Sequence, residues 1–336
     1  MGKGRFENPV EAVLTGVTDF IKRKPNVRPL ALTDRLDGKI CLVTGANSGI
    51  GFAVAVEYGR RGADLILACR RDIPGAGERI KALSSAAKVE MLEVDLSDIS
   101  SIHRFCDQLR DRAIQLDVIV CNAGVTPPRA RKTSQGLEEM FMVNYLANFI
   151  LLNRLLQDGV IPNAAFAGNG RPVGAPRPRI LLNSSDSHRG STAIDVEQLG
   201  IYEDYGVRKA IQLYGYYKLV LNTFATELSR RLNPTDPVDV SVFPLCPGPV
   251  NTNIIRDAPP LLKGFMQFIF SIFFQAPEKA TPPFVHLACA PEMEGRTNCY
   301  LHMMTEKPMD EKAYDAEVGR MLWGRSEELE VVSGEL

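Results

Sequence analysis

Lys39-Ile40-Cys41-Leu42-Val43-Thr44-Gly45-Ala46-Asn47-Ser48-Gly49-Ile50-Gly51 is the stretch on which the fold turns. Its first five residues read as a short apolar strand, and Phe52–Arg61 beyond it carries a helical pattern. Between them lies the spacing Gly-x-x-x-Gly-x-Gly. Glycines in such a turn let the backbone come close to a pyrophosphate. The helix that follows offers unpaired N–H groups and the positive end of its dipole. Glycine spacing alone says little. Set after a strand, before a helix and near the start of an alternating series, it predicts a dinucleotide-binding turn. Thr44, Gly45, Asn47, Ser48, Gly49, Ile50 and Gly51 are its expected contacts.

Downstream, apolar strand-like runs recur at Ile40–Val43, Asp64–Ala68, Val89–Val94, Val118–Cys121, Ile180–Leu182 and Val238–Phe243, with helical patterns between them. Regular βαβ alternation predicts an α/β fold: one doubly wound parallel sheet with helices on both faces. This main domain is expected over residues 38–336, with Gly168–Arg179 as a solvated surface loop. Upstream, residues 1–37 read as an N-terminal extension. Asn8, Pro9 and Glu11 suit the N-cap, N1 and N3 positions of a helix. Val10, Val13, Leu14, Val17, Phe20 and Ile21 share one helical face, and Lys22, Arg23 and Lys24 end it before Pro25. The favoured reading is a helix packed on the main domain or on a homodimer partner. The other is a helix lying on a membrane surface.

Bulk properties narrow the function. A net charge of −1 over 336 residues gives nucleic-acid binding no electrostatic support. The seven cysteines form no CxxC pair, which points to a reducing compartment and a cytoplasmic chain. Neither a secretory leader nor an apolar run of about 18 residues is visible, so peripheral membrane contact is the most that is expected. His103, His188, His286 and His302 show no metal-binding spacing, and no metal is expected. His188 reads as surface loop, or as pocket lining because Ser185 is near.

The motifs after the glycine turn follow in a set order: Asp95-Leu96, then Asn122-Ala123-Gly124, then Pro247-Gly248 with Val250 and Thr252. Together with the turn they resemble the short-chain dehydrogenase/reductase family, from about residue 37 to the C-terminus. The resemblance implies a Rossmann-type sheet and a nicotinamide dinucleotide. It places Asp95 and Leu96 beside the adenine, Asn122, Ala123 and Gly124 after the fourth strand, and Pro247, Gly248, Val250 and Thr252 over the nicotinamide. An NAD-preferring site usually ends its second strand in an acid that holds the ribose hydroxyl. Here the strand ends Ala68-Cys69-Arg70-Arg71. A guanidinium pairs with a 2′-phosphate, so NADP(H) is predicted, with Arg70 as the main contact.

Hydride exchange with a carbonyl needs a proton donor and a group that orients the oxygen. A tyrosine titrates at about 10 and needs a nearby cation to favour its anion. Tyr214 and Lys218 stand four residues apart, which puts them on one helical face. Tyr205 and Lys209 share that spacing, but they read as a polar connector, whereas Lys218 opens a long helix, Leu219 to Leu232. Ser185 follows a strand at its carboxyl end, where ligands bind in such sheets. By resemblance it orients the substrate oxygen. Lys218 also holds the nicotinamide ribose, and Asn144 holds a water in a proton relay. The gap from Ser185 to Tyr214 resembles that of the retinol-dehydrogenase-like branch, as does the final helix with Met321-Leu322-Trp323.

Residues at about 255–276 form the expected substrate lid. Leu261, Phe265, Phe268, Phe270 and Phe273 make it apolar, which suggests a small apolar carbonyl or alcohol: a retinoid, steroid, fatty aldehyde or aromatic ketone. The same segment also reads as a core helix, an oligomer interface or a membrane contact. Two other functions remain open at this point: a nucleotide sensor without turnover, and a peripheral lipid-contact protein.

Overall fold

A computed structural model describes residues 26–84, 86–172, 174–249 and 276–334. The N-terminal helix, Val250, Thr252 and the apolar lid apart from Ala276 lie outside the described residues. The chain forms one eight-stranded sheet in the order β3-β2-β1-β4-β5-β6-β7-β8. The strands are β1 (Ile40–Thr44), β2 (Asp64–Cys69), β3 (Val89–Glu93), β4 (Val118–Cys121), β5 (Arg179–Asn183), β6 (Ser241–Cys246), β7 (Leu301–His302) and β8 (Thr305–Glu306). All neighbours pair parallel except the closing hairpin β7–β8. This is the predicted Rossmann-type sheet, with one short antiparallel addition.

Successive side chains of each strand enter opposite cores, as the pleat requires. Leu42, Ile66, Ile119, Ile180, Leu182 and Val242 join one apolar cluster; Cys41, Val43, Leu65, Leu67, Val120, Leu181 and Phe243 join the other. The first is covered by α3 (Ile99–Asp111), α4, α5 (Val207–Leu232) and α7 (Ala316–Gly334). Helix α4 is built of Glu139–Phe141, a π-turn at Met142–Leu146, and Ala147–Gln157. The second cluster is covered by α1 (Gly49–Arg60), α2 (Gly75–Ser84) and α6 (Pro282–Cys289). Burial on both faces explains why the strands read as continuous apolar runs. No helix of the described residues is long and apolar enough to cross a membrane.

Three expectations need correction. The sixth strand is Ser241–Cys246, not Val238–Phe243, because the Asn233 amide accepts from the N–H groups of Asp239 and Val240 and bends them out of the sheet. The Gly168–Arg179 segment is not simply solvated. Arg171 pairs with Asp117 at 2.7 Å, and buried Arg179 donates to the carbonyls of Leu287 and Ala290 at the end of α6. Helix α5 begins at Val207, so Lys209 lies in its first turn and Lys218 in its middle rather than at its start.

The only tryptophan, Trp323 on α7, packs between helices. Its ring lies 5.1 Å from that of Phe149 on α4 and 6.0 Å from that of Phe224 on α5, and the Arg231 guanidinium sits 4.0 Å from its centroid.

Candidate active site

The predicted site residues that the structure describes converge at the carboxyl edge of the sheet, where the strand order reverses between β1 and β4. The glycine turn leaves β1 there. Ser48 is extended and makes no side-chain cap, so the first turn of α1 keeps unpaired N–H groups facing outward. Gly45 has a φ of +67°. A Cβ on Gly51 would stand 2.5 Å from the Gly45 carbonyl oxygen and from Asn122 Nδ2. The Cys69 thiol lies against the N–H groups of Ala46 and Asn47, and burial raises it to about 11. Cys69 thus supports the turn from the end of β2.

Thr44 is fully buried, so its hydroxyl meets no ligand. It accepts instead from the N–H groups of Asn122 and Ala123, each at 3.0 Å, and ties the turn to the loop after β4. The Asn122 side chain donates back to the Thr44 carbonyl at 3.0 Å and accepts from Asn183 Nδ2 at 3.0 Å. Asn183, at the end of β5, is a residue the motif reading missed. A polar residue closing an apolar strand just before Ser184-Ser185 was the available signal.

Arg70 is exposed and pairs with Asp95 at 3.2 Å. Asp95 also accepts from the Ser97 N–H and hydroxyl, which shapes the turn after β3. Leu96 is buried in the core. Arg71 is exposed and has no ion pair or hydrogen bond among the described residues.

The Ser185 hydroxyl accepts from the Ser187 N–H at 3.3 Å and from the Ser187 hydroxyl at 2.9 Å, and it faces the Tyr214 phenol closely enough to act on its titration. Gly215 makes their approach possible: a Cβ there would lie 2.9 Å from the Ser187 carbonyl, so α5 and the turn after β5 touch backbone to backbone. Gly215 is a second residue the motif reading missed. Lys218 is buried, and its Nζ donates to the Asn183 carbonyl at 2.6 Å while lying 5.5 Å from the Tyr214 ring centroid. Burial lowers the lysine to about 8, with Cys246 opposing. Burial also pushes the Tyr214 phenol above its ordinary value, Cys246 adds to the rise, and Ser185 acts against it. The sequence predicts a phenol lowered by the lysine. In this arrangement one N–H of the ammonium is bonded to the Asn183 carbonyl, and burial prevails at the phenol.

Asn144 sits in the π-turn of α4. Its amide accepts from the Val125 N–H at 2.7 Å and donates to the Val125 carbonyl at 2.9 Å, so it clamps the loop that starts at Asn122. The rival Tyr205 lies in the irregular, exposed connector before α5, but its own ring is buried and donates to Glu138 at 2.7 Å as a tether. His188 is neither surface loop nor pocket lining. It is fully buried behind Ser185. Pro247 is buried and Gly248 half-buried after β6, close to Cys246, whose thiol meets the Gly248 N–H.

Known proteins resemble this chain in sequence and in fold. Residues 39–163 match the family model for short chain dehydrogenase. Retinol dehydrogenase 14 of Mus musculus is 33% identical over 87% of this chain and 86% of its own length. A crystal structure of an uncharacterized protein from Mycobacterium Paratuberculosis is 25% identical, with a TM-score of 0.67, over 90% of this chain and 98% of that one. The Pseudomonas aeruginosa RhlG/NADP active-site complex shares the fold, at 20% identity and a TM-score of 0.59, over 85% of this chain and all 100% of that one.

Proposed function

The chain belongs to the short-chain dehydrogenase family, and we propose that within it the protein interconverts a carbonyl and an alcohol on an apolar substrate with NADP(H). The observation that carries this reading is the Ser185 hydroxyl facing the Tyr214 phenol, set beside buried Lys218 at the edge that also bears the glycine turn. The turn fits a dinucleotide: its helix end is uncapped, and its backbone is too tightly folded around Gly51 for any side chain. Gly45, Asn47, Ser48, Gly49 and Ile50 would hold the pyrophosphate, Asp95, Asn122, Ala123 and Gly124 the adenosine side, and Lys218, Pro247 and Gly248 the nicotinamide side. When bound, the nicotinamide supplies or takes up the hydride.

The protein's own residues handle the oxygen and the proton. Ser185 donates a hydrogen bond to the substrate oxygen and orients it. Tyr214 passes its phenolic proton to that oxygen as the carbonyl is reduced, and takes it back on oxidation. The raised phenol keeps its proton at neutral pH, which suits a donor. Lys218 stabilises the tyrosinate left behind. Asn144 acts here by fixing the loop that carries Asn122, Ala123 and Gly124, and the relay reading attaches to its position beside this helix rather than to a free amide.

The lysine gives this proposal a pH signature. Its folded-state value of about 8 lies below that of an ordinary lysine, so the ammonium is present below that pH and is lost as pH rises through it. Carbonyl reduction is therefore expected to fall on the alkaline side with a midpoint near 8. A profile flat to about pH 10, where an ordinary lysine titrates, would reject the role.

Arg70 and Arg71 support NADP(H) over NAD(H), since both guanidinium groups stand at the tip of β2 where an acid would repel a 2′-phosphate. Arg70 already has Asp95 as a partner, so the exposed Arg71 shares the assignment. The test is consumption of NADPH and of NADH with a panel of apolar aldehydes and ketones, retinal included. NADPH is expected to be preferred, and Arg70→Asp is expected to cut the NADPH/NADH ratio about 10–100-fold, the equivalent of one charge-assisted hydrogen bond. An unchanged ratio would remove Arg70 from the assignment and leave it to Arg71, a parent protein that prefers NADH would return it to NAD(H), and no turnover with any carbonyl would remove the enzymatic reading.

A further inference from the structure

Ser185 is held from behind by a residue that touches no substrate. The turn after it, Asp186–Gly190, lies against the β7–β8 hairpin's two flanks, Tyr300 before β7 and the segment that follows β8. Lys307 pairs with Asp186 at 2.7 Å, Tyr300 donates to Asp186 at 3.3 Å, Arg189 donates to the Pro308 carbonyl, and His188 bonds in both directions. His188 Nδ1 lies 2.7 Å from the Ser185 carbonyl oxygen, and His188 Nε2 lies 3.0 Å from the Asp310 backbone nitrogen. A carbonyl can only accept and a backbone N–H can only donate. The two partners therefore fix the ring as neutral, protonated on Nδ1.

We infer that His188 is a positioning residue: as the neutral Nδ1–H tautomer it straps the Ser185 main chain to Asp310, and so fixes the Ser185 hydroxyl against Tyr214. The inference rests on the role proposed above for Ser185. The ring is fully buried, edge-on to Tyr300 at 5.4 Å between centroids. The charged groups facing it are Asp186 and Arg189 from its own turn and Asp310 from the C-terminal segment. Burial, with Arg189, outweighs the Ser185 carbonyl and the two carboxylates and lowers the imidazole to about 4, which agrees with a neutral ring across the physiological range. The opposite side of the same turn is fixed by Gly215, whose contact with the Ser187 carbonyl admits no side chain. Ser185 is thus gripped between α5 and the segment after β8. A displacement of about 1 Å in such a group can cost about a hundredfold in rate.

The experiment combines a spectroscopic and a kinetic arm on the full chain. Nitrogen-resolved NMR of the His188 ring is expected to show the neutral Nδ1–H form between about pH 5.5 and 8. An imidazolium or an Nε2–H ring at neutral pH would overturn the inference without reference to activity. In the kinetic arm, with retinal and NADPH as probes, His188→Phe keeps the ring volume and removes both bonds. It is expected to lower kcat about 10–100-fold with little change in the KM for NADPH. His188→Asn, which can still donate to the Ser185 carbonyl, is expected to recover part of the loss. Adding His188→Phe to Ser185→Ala should cost almost nothing further, since the group being positioned is gone. Equal losses in both backgrounds would make His188 a purely structural residue and sink the inference. A silent His188→Phe beside a crippled Ser185→Ala overturns the inference alone. A fully active Ser185→Ala overturns the reading of Ser185 first, and the inference with it.

Discussion

Tyr214→Phe is expected to lower turnover about 10²–10⁴-fold, the range lost with a general acid, while NADPH still binds and the fold is kept. The substitution removes one oxygen. The ring stays half-buried against the core that α5 shares with α4, so packing is nearly unchanged. What goes is the proton donor that faces the Ser185 hydroxyl. Binding is untouched because the glycine turn lies on other elements, β1 and α1. The measurement is kcat for carbonyl reduction beside a calorimetric titration of NADPH. Turnover within a few-fold of the parent protein would remove Tyr214 from the chemistry. Tyr205 is no ready substitute, because its hydroxyl is committed to Glu138 inside the core.

Gly51→Ala is expected to weaken NADPH binding about 10–100-fold and to lower the melting temperature. The added methyl would meet the Gly45 carbonyl and the Asn122 amide at 2.5 Å, closer than such atoms can stay. Neither neighbour yields easily. The carbonyl belongs to a backbone turn already at positive φ, and the amide is bonded to both Thr44 and Asn183. The cost is the 1–3 kcal/mol or so of an overpacked site, and it falls on the turn that must cradle the pyrophosphate. Calorimetric titration of NADPH and a thermal melt measure the two effects. Binding within about threefold of the parent would show that the turn opens freely and that the tight geometry has no part in nucleotide binding.

The parallel sheet was legible because buried strands have to be apolar on both faces. Ile40–Val43 and Val118–Cys121 coincide with β1 and β4 to within a residue. The paired strands β7 and β8, two residues each, carry too little pattern to be seen. The start of α5 was hidden for a different reason. Val207 and Ile211 are exposed and Arg208, Lys209 and Gln212 are polar, so its first turns bury no stripe. Among site residues, those defined by local spacing were readable: the glycine turn, Asn122, Ser185, Tyr214 and Lys218. Those defined by distant contacts were not. His188 looks like a loop histidine until Asp310, more than a hundred residues on, meets its ring. Gly215 looks like a spacer between tyrosines until the Ser187 carbonyl arrives beside it. Arg70 and Asp95 were assigned to one ligand separately, and only their pairing shows that the two assignments compete.

Trp323 makes the molecule its own optical gauge. A chain with a single indole emits from one address, and here that address is the seam where α7 meets α4 and α5. The same α5 carries Tyr214 and Lys218, and Arg231, farther along it, lies on the indole face. Emission colour and intensity therefore read how firmly the C-terminal helix is seated on the helix that does the chemistry. Light collected during a titration or a melt reports that seam without a label, and separates loosening there from changes elsewhere in the sheet.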